Sequence, residues 1–306
     1  MKESFEAKIA SGKKIEPFDD IPDDYRQVAL KIIKFHTFSE VIGPLTEAEY
    51  LDKVPTLYRK QLATAKVQDE EGHGQILLSV TESLGPTREE LMDELLSGKG
   101  KYLHIFHYPV ETWADVPIIG WLIDGAEIER QVTLQESSYG PYARCMKKLV
   151  YEEAFHYRQG LDAIEAMMNG TDAQRKMVQE SLNRFWERIL LMFGPHDSDS
   201  SPNAEIAMYY RLKVRKNDEL RDSYLRMFIP RIKRYGLEIP DPKLHFDETK
   251  KRWIYTDPDW DELKRINRME MPDHLRRVEI YRNHYYGTQW VRDALTEYNQ
   301  EKREVS

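Results

Sequence analysis

The chain has 306 residues, of which 41% are hydrophobic and 32% charged, with 15 glycines and 15 prolines. That mixture excludes a disordered chain, a collagen-like repeat and a small disulfide scaffold, and the length suffices for one large core or two modest ones. A single cysteine, Cys145, cannot form an internal disulfide, which points to a reducing, cytoplasmic setting. The formal charge of −8 argues against a general grip on nucleic acid. Apolar runs are far shorter than the roughly 20 residues a membrane-spanning helix needs. The acids in the opening Met-Lys-Glu-Ser-Phe-Glu are unlike an export signal.

Helical periodicity dominates the first two thirds. Val28, Ile32, Phe35 and Phe38 recur at threes and fours, so a helix is predicted over about 22–43, ended by Pro44. A second is predicted over 56–84, stopped by Gly85-Pro86. Thr87 and Glu90 have capping-box spacing for a short helix to residue 96, and 99–109 reads as loop. Long helices follow over 113–138, 142–169 and 172–193, with Gly140-Pro141, Gly170 and Gly194-Pro195 as breakers. A polar stretch, 197–202, leads to helices over 203–216 and 217–235, the latter stopped by Gly236. Residues 244–255 alternate aromatic and charged side chains as a small hairpin would, and a last helix covers 272 to about 300. The expected fold class is all-α. Residues 1–200 would form a four-helix bundle core, and 201–306 a C-terminal helical elaboration packed on the same domain.

Two Glu-x-x-His motifs stand out, Glu70-Glu-Gly-His73 and Glu153-Ala-Phe-His156. On a helix such a pair shares one face and can hold one metal, but chance alone gives about one pair in a chain of this composition. Spacing strengthens the signal. Glu40 lies 30 residues before Glu70 and Asp124 lies 29 before Glu153, with midpoints at Pro55 and beside Gly140. In antiparallel helix hairpins each carboxylate would then face its partner motif. Two docked hairpins bring four carboxylates and two imidazoles to one level, which is the di-iron or di-manganese carboxylate arrangement. Asp69 and Glu152 stand four residues before His73 and His156, where a carboxylate can take the second ring N–H of a metal-bound histidine.

Other residues have plainer readings. Glu127, one turn past Asp124, is an alternative ligand on the third long helix, with Asp124 favoured by spacing. Lys66, four before Glu70, is either a helix salt bridge or a cation balancing a carboxylate-rich pocket. His36 is expected as a hydrogen-bonded core histidine, and His104 and His107 as loop residues at the surface. Glu129 and Glu136 are expected to face solvent or a partner. Phe38, Trp121, Phe155, Phe185 and Trp186 read as core.

The segments Ala65-Lys-Val-Gln-Asp-Glu-Glu-Gly-His-Gly74, Ile119-Gly-Trp-Leu-Ile-Asp-Gly-Ala126 and Glu152-Glu-Ala-Phe-His-Tyr-Arg-Gln-Gly160 carry a resemblance, as do Ser138-Tyr-Gly-Pro-Tyr-Ala-Arg144 and Pro240-Asp-Pro-Lys-Leu-His-Phe-Asp247. Over about residues 15–294 the chain resembles the catalytic A subunits of ring-1,2-phenylacetyl-CoA epoxidases, bacterial multicomponent di-iron oxygenases of phenylacetate degradation. The resemblance implies a ferritin-like bundle with two iron ions on Glu40, Glu70, His73, Asp124, Glu153 and His156. It implies a monooxygenase that adds one atom of O2 across the ring of phenylacetyl-CoA and releases the other as water. Electrons would come from NADPH through a reductase partner carrying a flavin and an iron–sulfur cluster, and a structural subunit of the same fold would pair with the chain. Two alternatives stand beside this reading: a related epoxidase of the benzoyl-CoA type, and a non-catalytic structural subunit whose signature would be lost ligands.

Overall fold

The protein is described by a computed structural model that covers residues 3–266, 268 and 272–304. A short helix α1 (Phe5–Ser11) precedes the bundle. The bundle consists of α2 (Asp23–Ala48), α3 (Leu57–Glu82), an interrupted third helix, and α7 (Gly140–Met168). The third helix is α5 (Asp115–Ile118), a widened π-turn over Ile119–Ile123, and α6 (Asp124–Leu134). Outside it lie α4 (Arg88–Leu96), α8 (Asp172–Met192), α9 (Pro202–Tyr209) and α10 (Asn217–Arg234). A two-stranded antiparallel hairpin, β1 (His245–Asp247) and β2 (Arg252–Ile254), pairs Phe246 with Trp253. Three helices close the described chain: α11 (Trp260–Ile266), α12 (Pro272–Gly287) and α13 (Gln289–Glu304). The all-α class and the hairpin stand as read from the sequence. Among the described residues no helix is long and apolar enough to cross a membrane.

Apolar stripes drive the assembly. Trp121 and Leu122 meet Phe185 and Trp186 of α8 and Tyr224 and Phe228 of α10 in one buried cluster, each large side chain contributing roughly 2–3 kcal/mol by leaving water. Tyr25, Ile33 and Leu77 form a second cluster with Tyr139 and Tyr142. Phe38, Val41 and Leu78 pack on Leu91 and Leu95 of α4 in a third. The turn before α7 is pinned by backbone bonds from Ile15 N to Ser138 O (2.8 Å) and from Gly140 N to Ile15 O (2.8 Å).

Several elements differ from the sequence reading, each for a local reason. Pro44 does not end α2, which runs on to Ala48. A proline within a helix forfeits one bond to the carbonyl four residues earlier. That carbonyl belongs to Glu40, and it lies 3.2 Å from where a Cβ on Gly74 would stand. A glycine on α3 therefore lets the two helices close up at this point. The third helix starts at Asp115 and is widened just before Asp124, and such π-turns are frequent at functional sites. There Gly120 faces Gly160 of α7 so closely that a Cβ on Gly160 would fall 2.4 Å from Trp121 N. Helix α9 stops at Tyr209, and Arg211 then adopts a left-handed backbone (φ 57°). The last predicted helix is two, α12 and α13, divided after Gly287. Phe155, expected in the core, is 45% exposed.

His104 and His107 are not surface residues. Both are buried in a single 3-10 turn (His104–His107) beneath α12, where Arg277 donates to the carbonyls of Phe106 (2.6 Å) and Tyr108 (2.9 Å). His104 Nε2 donates to Arg188 O at 2.8 Å. Burial drives the His104 imidazole down to about 4, with Arg188 nearby. A folded-state value below the unfolded 6.5 means the unfolded chain binds the extra proton. The stability that neutral His104 confers is therefore complete above about pH 6.5 and lost as pH falls towards 4, an effect of up to about 3 kcal/mol. His104→Gln, whose amide can still donate to Arg188, should flatten this part of the acid limb when Tm is followed from pH 8 to pH 4.

Candidate metal centre

Helices α2, α3, α6 and α7 each send acidic or basic side chains to one buried level. Glu40, Glu70, His73, Asp124, Glu153 and His156 are all at most 8% exposed. They converge as two overlapping groups, Glu40–Glu70–His73–Glu153 and Glu70–Asp124–Glu153–His156, with the facing atoms of each group within 4.8 Å of one another. His73 Nδ1 stands 3.4 Å from Glu70 Oε2, 3.6 Å from Glu40 Oε2 and 3.8 Å from Glu153 Oε1. His156 Nδ1 stands 3.2 Å from Glu70 Oε1 and 3.4 Å from Glu153 Oε2. Glu70 and Glu153 thus present one oxygen to each imidazole. Glu40 belongs to the His73 side alone and Asp124 to the His156 side alone.

The outer ring nitrogens depart from the sequence reading. His73 Nε2 meets Glu152 Oε2 on α7 at 2.9 Å, and His156 Nε2 meets Asp69 Oδ2 on α3 at 3.3 Å. The carboxylates four residues earlier on the same helix do not serve their own histidines; the pairing is crossed. With Nδ1 turned into the bundle, each imidazole lies across the α3–α7 seam, so its far nitrogen arrives at the neighbouring helix. Carboxylates only accept, which places a proton on Nε2 and leaves Nδ1 to face the cluster.

Lys66 is 5% exposed and points into the same level. Its Nζ lies 2.7 Å from Asp124 Oδ2, 2.9 Å from Glu47 Oε2 and 3.9 Å from Glu70 Oε1. Glu70, its neighbour one turn on, is therefore the most distant of the three. Burial opposes the charge on Lys66, yet Asp124, Glu47, Glu70 and Glu153 together hold it well above its usual range. Burial pushes Asp124 well above the usual carboxylate range, Lys66 pulling against it and Glu153 with it. Burial, with Glu70 beside it, also lifts Glu153 to about 7. Glu70 resists burial and is held well below the usual range by the two imidazoles.

Sequence reasoning missed Glu47 and the full role of His36. Glu47 lies beyond Pro44, outside the helix as predicted, although it is two turns after Glu40 on the same face. His36 is buried as expected but also bridges, with Nε2 2.9 Å from Glu40 Oε1 and Nδ1 2.7 Å from Tyr142 OH. Glu127 turns aside to pair with Arg130 and takes no part in either group. Glu129 accepts from Ser223 of α10 (2.7 Å), while Glu136 is exposed.

The donor set suits a pair of divalent metal ions. His73 Nδ1 faces Glu70, Glu40 and Glu153 at 3.4, 3.6 and 3.8 Å, too far for good hydrogen bonds and a spacing in which one ion could lie between them. Oxygen and imidazole donors with two shared carboxylates fit iron or manganese. Burial opposes protonation of the two rings, but Glu40 and Glu70 raise His73 to about 12, and Glu153 and Glu70 raise His156 to about 11. Metal needs both rings neutral. Loading the metal-free protein with Fe(II) near pH 7 should therefore release at least about two protons per chain, measurable with a pH indicator in weak buffer, and affinity should rise with pH. Lys66→Met removes the cation that balances Asp124 and Glu47, so the metal-free protein should lose about 3 kcal/mol. Its Tm should then recover more than the wild type's when divalent metal is added.

Comparison with known proteins agrees with the arrangement. The family described as phenylacetic acid catabolic protein matches residues 1–290. The chain is also similar to the A subunit of the 1,2-phenylacetyl-CoA epoxidase of Escherichia coli (strain K12), with 42% identity over 300 residues, 98% of this chain and 97% of that one. With the match running through all four helices that build the cluster, the chain belongs to the phenylacetic acid catabolic protein family.

Proposed function

We propose that the chain is the oxygenase subunit that converts phenylacetyl-CoA to its ring-1,2-epoxide, using O2, two iron ions and electrons supplied from outside. One observation carries the reading: four carboxylates and two imidazoles converge in two overlapping groups in a chain so similar to a named epoxidase subunit. Glu40 and His73 would hold one metal and Asp124 and His156 the other, with Glu70 and Glu153, which belong to both groups, available to either. Asp69 and Glu152 hold the imidazoles in their ligating tautomer. Bound there, the metal pair would supply the redox chemistry that lets O2 take up the external electrons.

The remaining steps fall to the chain's own residues. A narrow cavity reaches the carboxylates between Gly43, Leu103, Phe106, Ile119 and Ile123. At about 30 Å³ the cavity must widen to admit an aromatic ring, and its apolar residues would then keep bulk water from the reacting edge. Adding one oxygen atom of O2 to an arene and releasing the other as water consumes two electrons and two protons. With one cysteine, the chain cannot supply the thiolates that normally hold an iron–sulfur cluster. The electrons therefore come from a separate NADPH-dependent reductase carrying a flavin and such a cluster. A structural subunit of the same fold completes the assembly, which we place in the cytoplasm. The non-catalytic alternative is disfavoured because all six ligand positions are filled.

The test is aerobic turnover of phenylacetyl-CoA under 18O2 by the chain with its reductase and structural subunit. The product should carry a single 18O, and benzoyl-CoA should turn over more slowly; the reverse preference would establish the benzoyl-CoA alternative. Asp124→Ala should cut turnover by more than about 100-fold, beyond the loss typical of an outer-shell partner, with the fold intact. Glu127→Gln should keep its iron and most activity. Iron loss in Glu127→Gln with retention in Asp124→Ala would reverse the ligand assignment on α6.

A further inference from the structure

Thr46 lies on α2, is 3% exposed, and has no hydrogen-bond partner for its hydroxyl. Other helical hydroxyls of this protein behave differently. Thr37, Ser39, Thr64 and Thr81 each donate to the carbonyl four residues earlier at 2.8 Å, the usual resting place for such a group. Thr46 forgoes that bond although it is buried, and an unmatched buried hydroxyl is costly to hold. It lines the narrow cavity that reaches the carboxylates.

The other polar side chains of that wall are already engaged. Glu47 and Asp124 hold Lys66, Glu40 holds His36, and Ser39 bonds Phe35 O and Leu103 N. Arg130 Nη2 is taken by Glu127, while its Nε is a second buried donor without a partner. Asp124 Oδ2 also lacks a hydrogen bond but is covered by the Lys66 ammonium at 2.7 Å. The unmatched groups left on the wall, the Thr46 hydroxyl and Arg130 Nε, can both donate, and an acceptor oxygen on the bound molecule would match them. Thr46 stands six residues beyond Glu40, about 9 Å of helix rise. It is therefore placed for a group next to the reacting ring rather than for oxygen at the metals.

Building on the function proposed above, we infer that Thr46 donates its hydroxyl hydrogen to the thioester carbonyl of the bound aryl-acyl-CoA. That contact fixes the distance between the carbonyl and the metals and so selects which ring edge is presented. Thr46 is a binding and positioning residue that takes no part in the oxygen chemistry.

The experiment compares anaerobic binding of phenylacetyl-CoA and of its carbonyl-free thioether, S-(2-phenylethyl)-CoA, to the chain with its structural subunit. Wild type should prefer the thioester by about tenfold, the scale of one buried hydrogen bond. Thr46→Val, nearly the same shape, should reduce the preference to near unity, and Thr46→Ser should restore it. Tm serves as the folding control. The inference is overturned if wild type shows no preference, if Thr46→Val keeps it, or if Thr46→Ser loses as much as valine. Loss of coupling between O2 use and product in Thr46→Val with the binding preference intact would assign the hydroxyl to oxygen instead, which also overturns it. A wild-type complex that binds neither CoA compound counts against the function proposed above.

Discussion

Four carboxylates, Glu40, Glu70, Asp124 and Glu153, are held out of water at one level of the bundle, with a fifth, Glu47, buried two turns along α2, and such crowding cannot be sustained by like charges alone. Three cations answer it in the metal-free protein: the imidazoliums of His73 and His156 and the ammonium of Lys66. Their arrangement is uneven. The two rings stand inside the cluster, where Glu70 and Glu153 offer each an oxygen, while Lys66 reaches in from one side to Asp124 and Glu47. Metal ions would take over the balancing role, which ties their affinity to the release of protons and of Lys66. The same electrostatic requirement makes the surrounding apolar clusters necessary, since burial is what gives each pairing its strength.

The helices bend their regular rules where the cluster demands it. Pro44 and the π-turn over Ile119–Ile123 are both interruptions, and both lie within a turn or so of a cluster residue, Glu40 and Asp124. At each interruption a glycine of the facing helix, Gly74 or Gly160, admits backbone where a side chain would obstruct. Trp121, Leu122 and Phe228 pack around the π-turn, and Phe38, Val41 and Leu78 around the Pro44 and Gly74 site, offsetting the cost of the irregular turns and of glycine inside a helix. Arg277 from α12 and Tyr224 from α10, whose hydroxyl donates to Leu122 O at 3.1 Å, brace the same region from outside.

Much of this was legible in the residues. The period of three to four gave the long helices, and symmetric spacing about Pro55 and Gly140 was enough to bring Glu40, Glu70, Asp124 and Glu153 to one level. What escaped has physical causes. Pro44 reads as a stop because local propensity favours one, and tertiary contact with α3 overrides it, hiding Glu47 and Thr46 beyond the apparent end. Spacing along one helix pairs Asp69 with His73, but ring orientation across a seam is not encoded in spacing, so the crossing was invisible. His104 and His107 look like loop residues because the arginine that covers their turn, Arg277, is some 170 positions away in sequence.

The crossed clamps make the α3–α7 seam a vernier. Each imidazole is gripped by a carboxylate of the other helix, so sliding α7 along α3 by a single residue, about 1.5 Å, would strain both grips together. The orientation of the two rings is therefore tied to the relative register of α3 and α7. Asp69 and Glu152 reach this register from positions 28% and 21% exposed. Pressure on that outer face would be transmitted to both ring nitrogens at once, as one displacement rather than two.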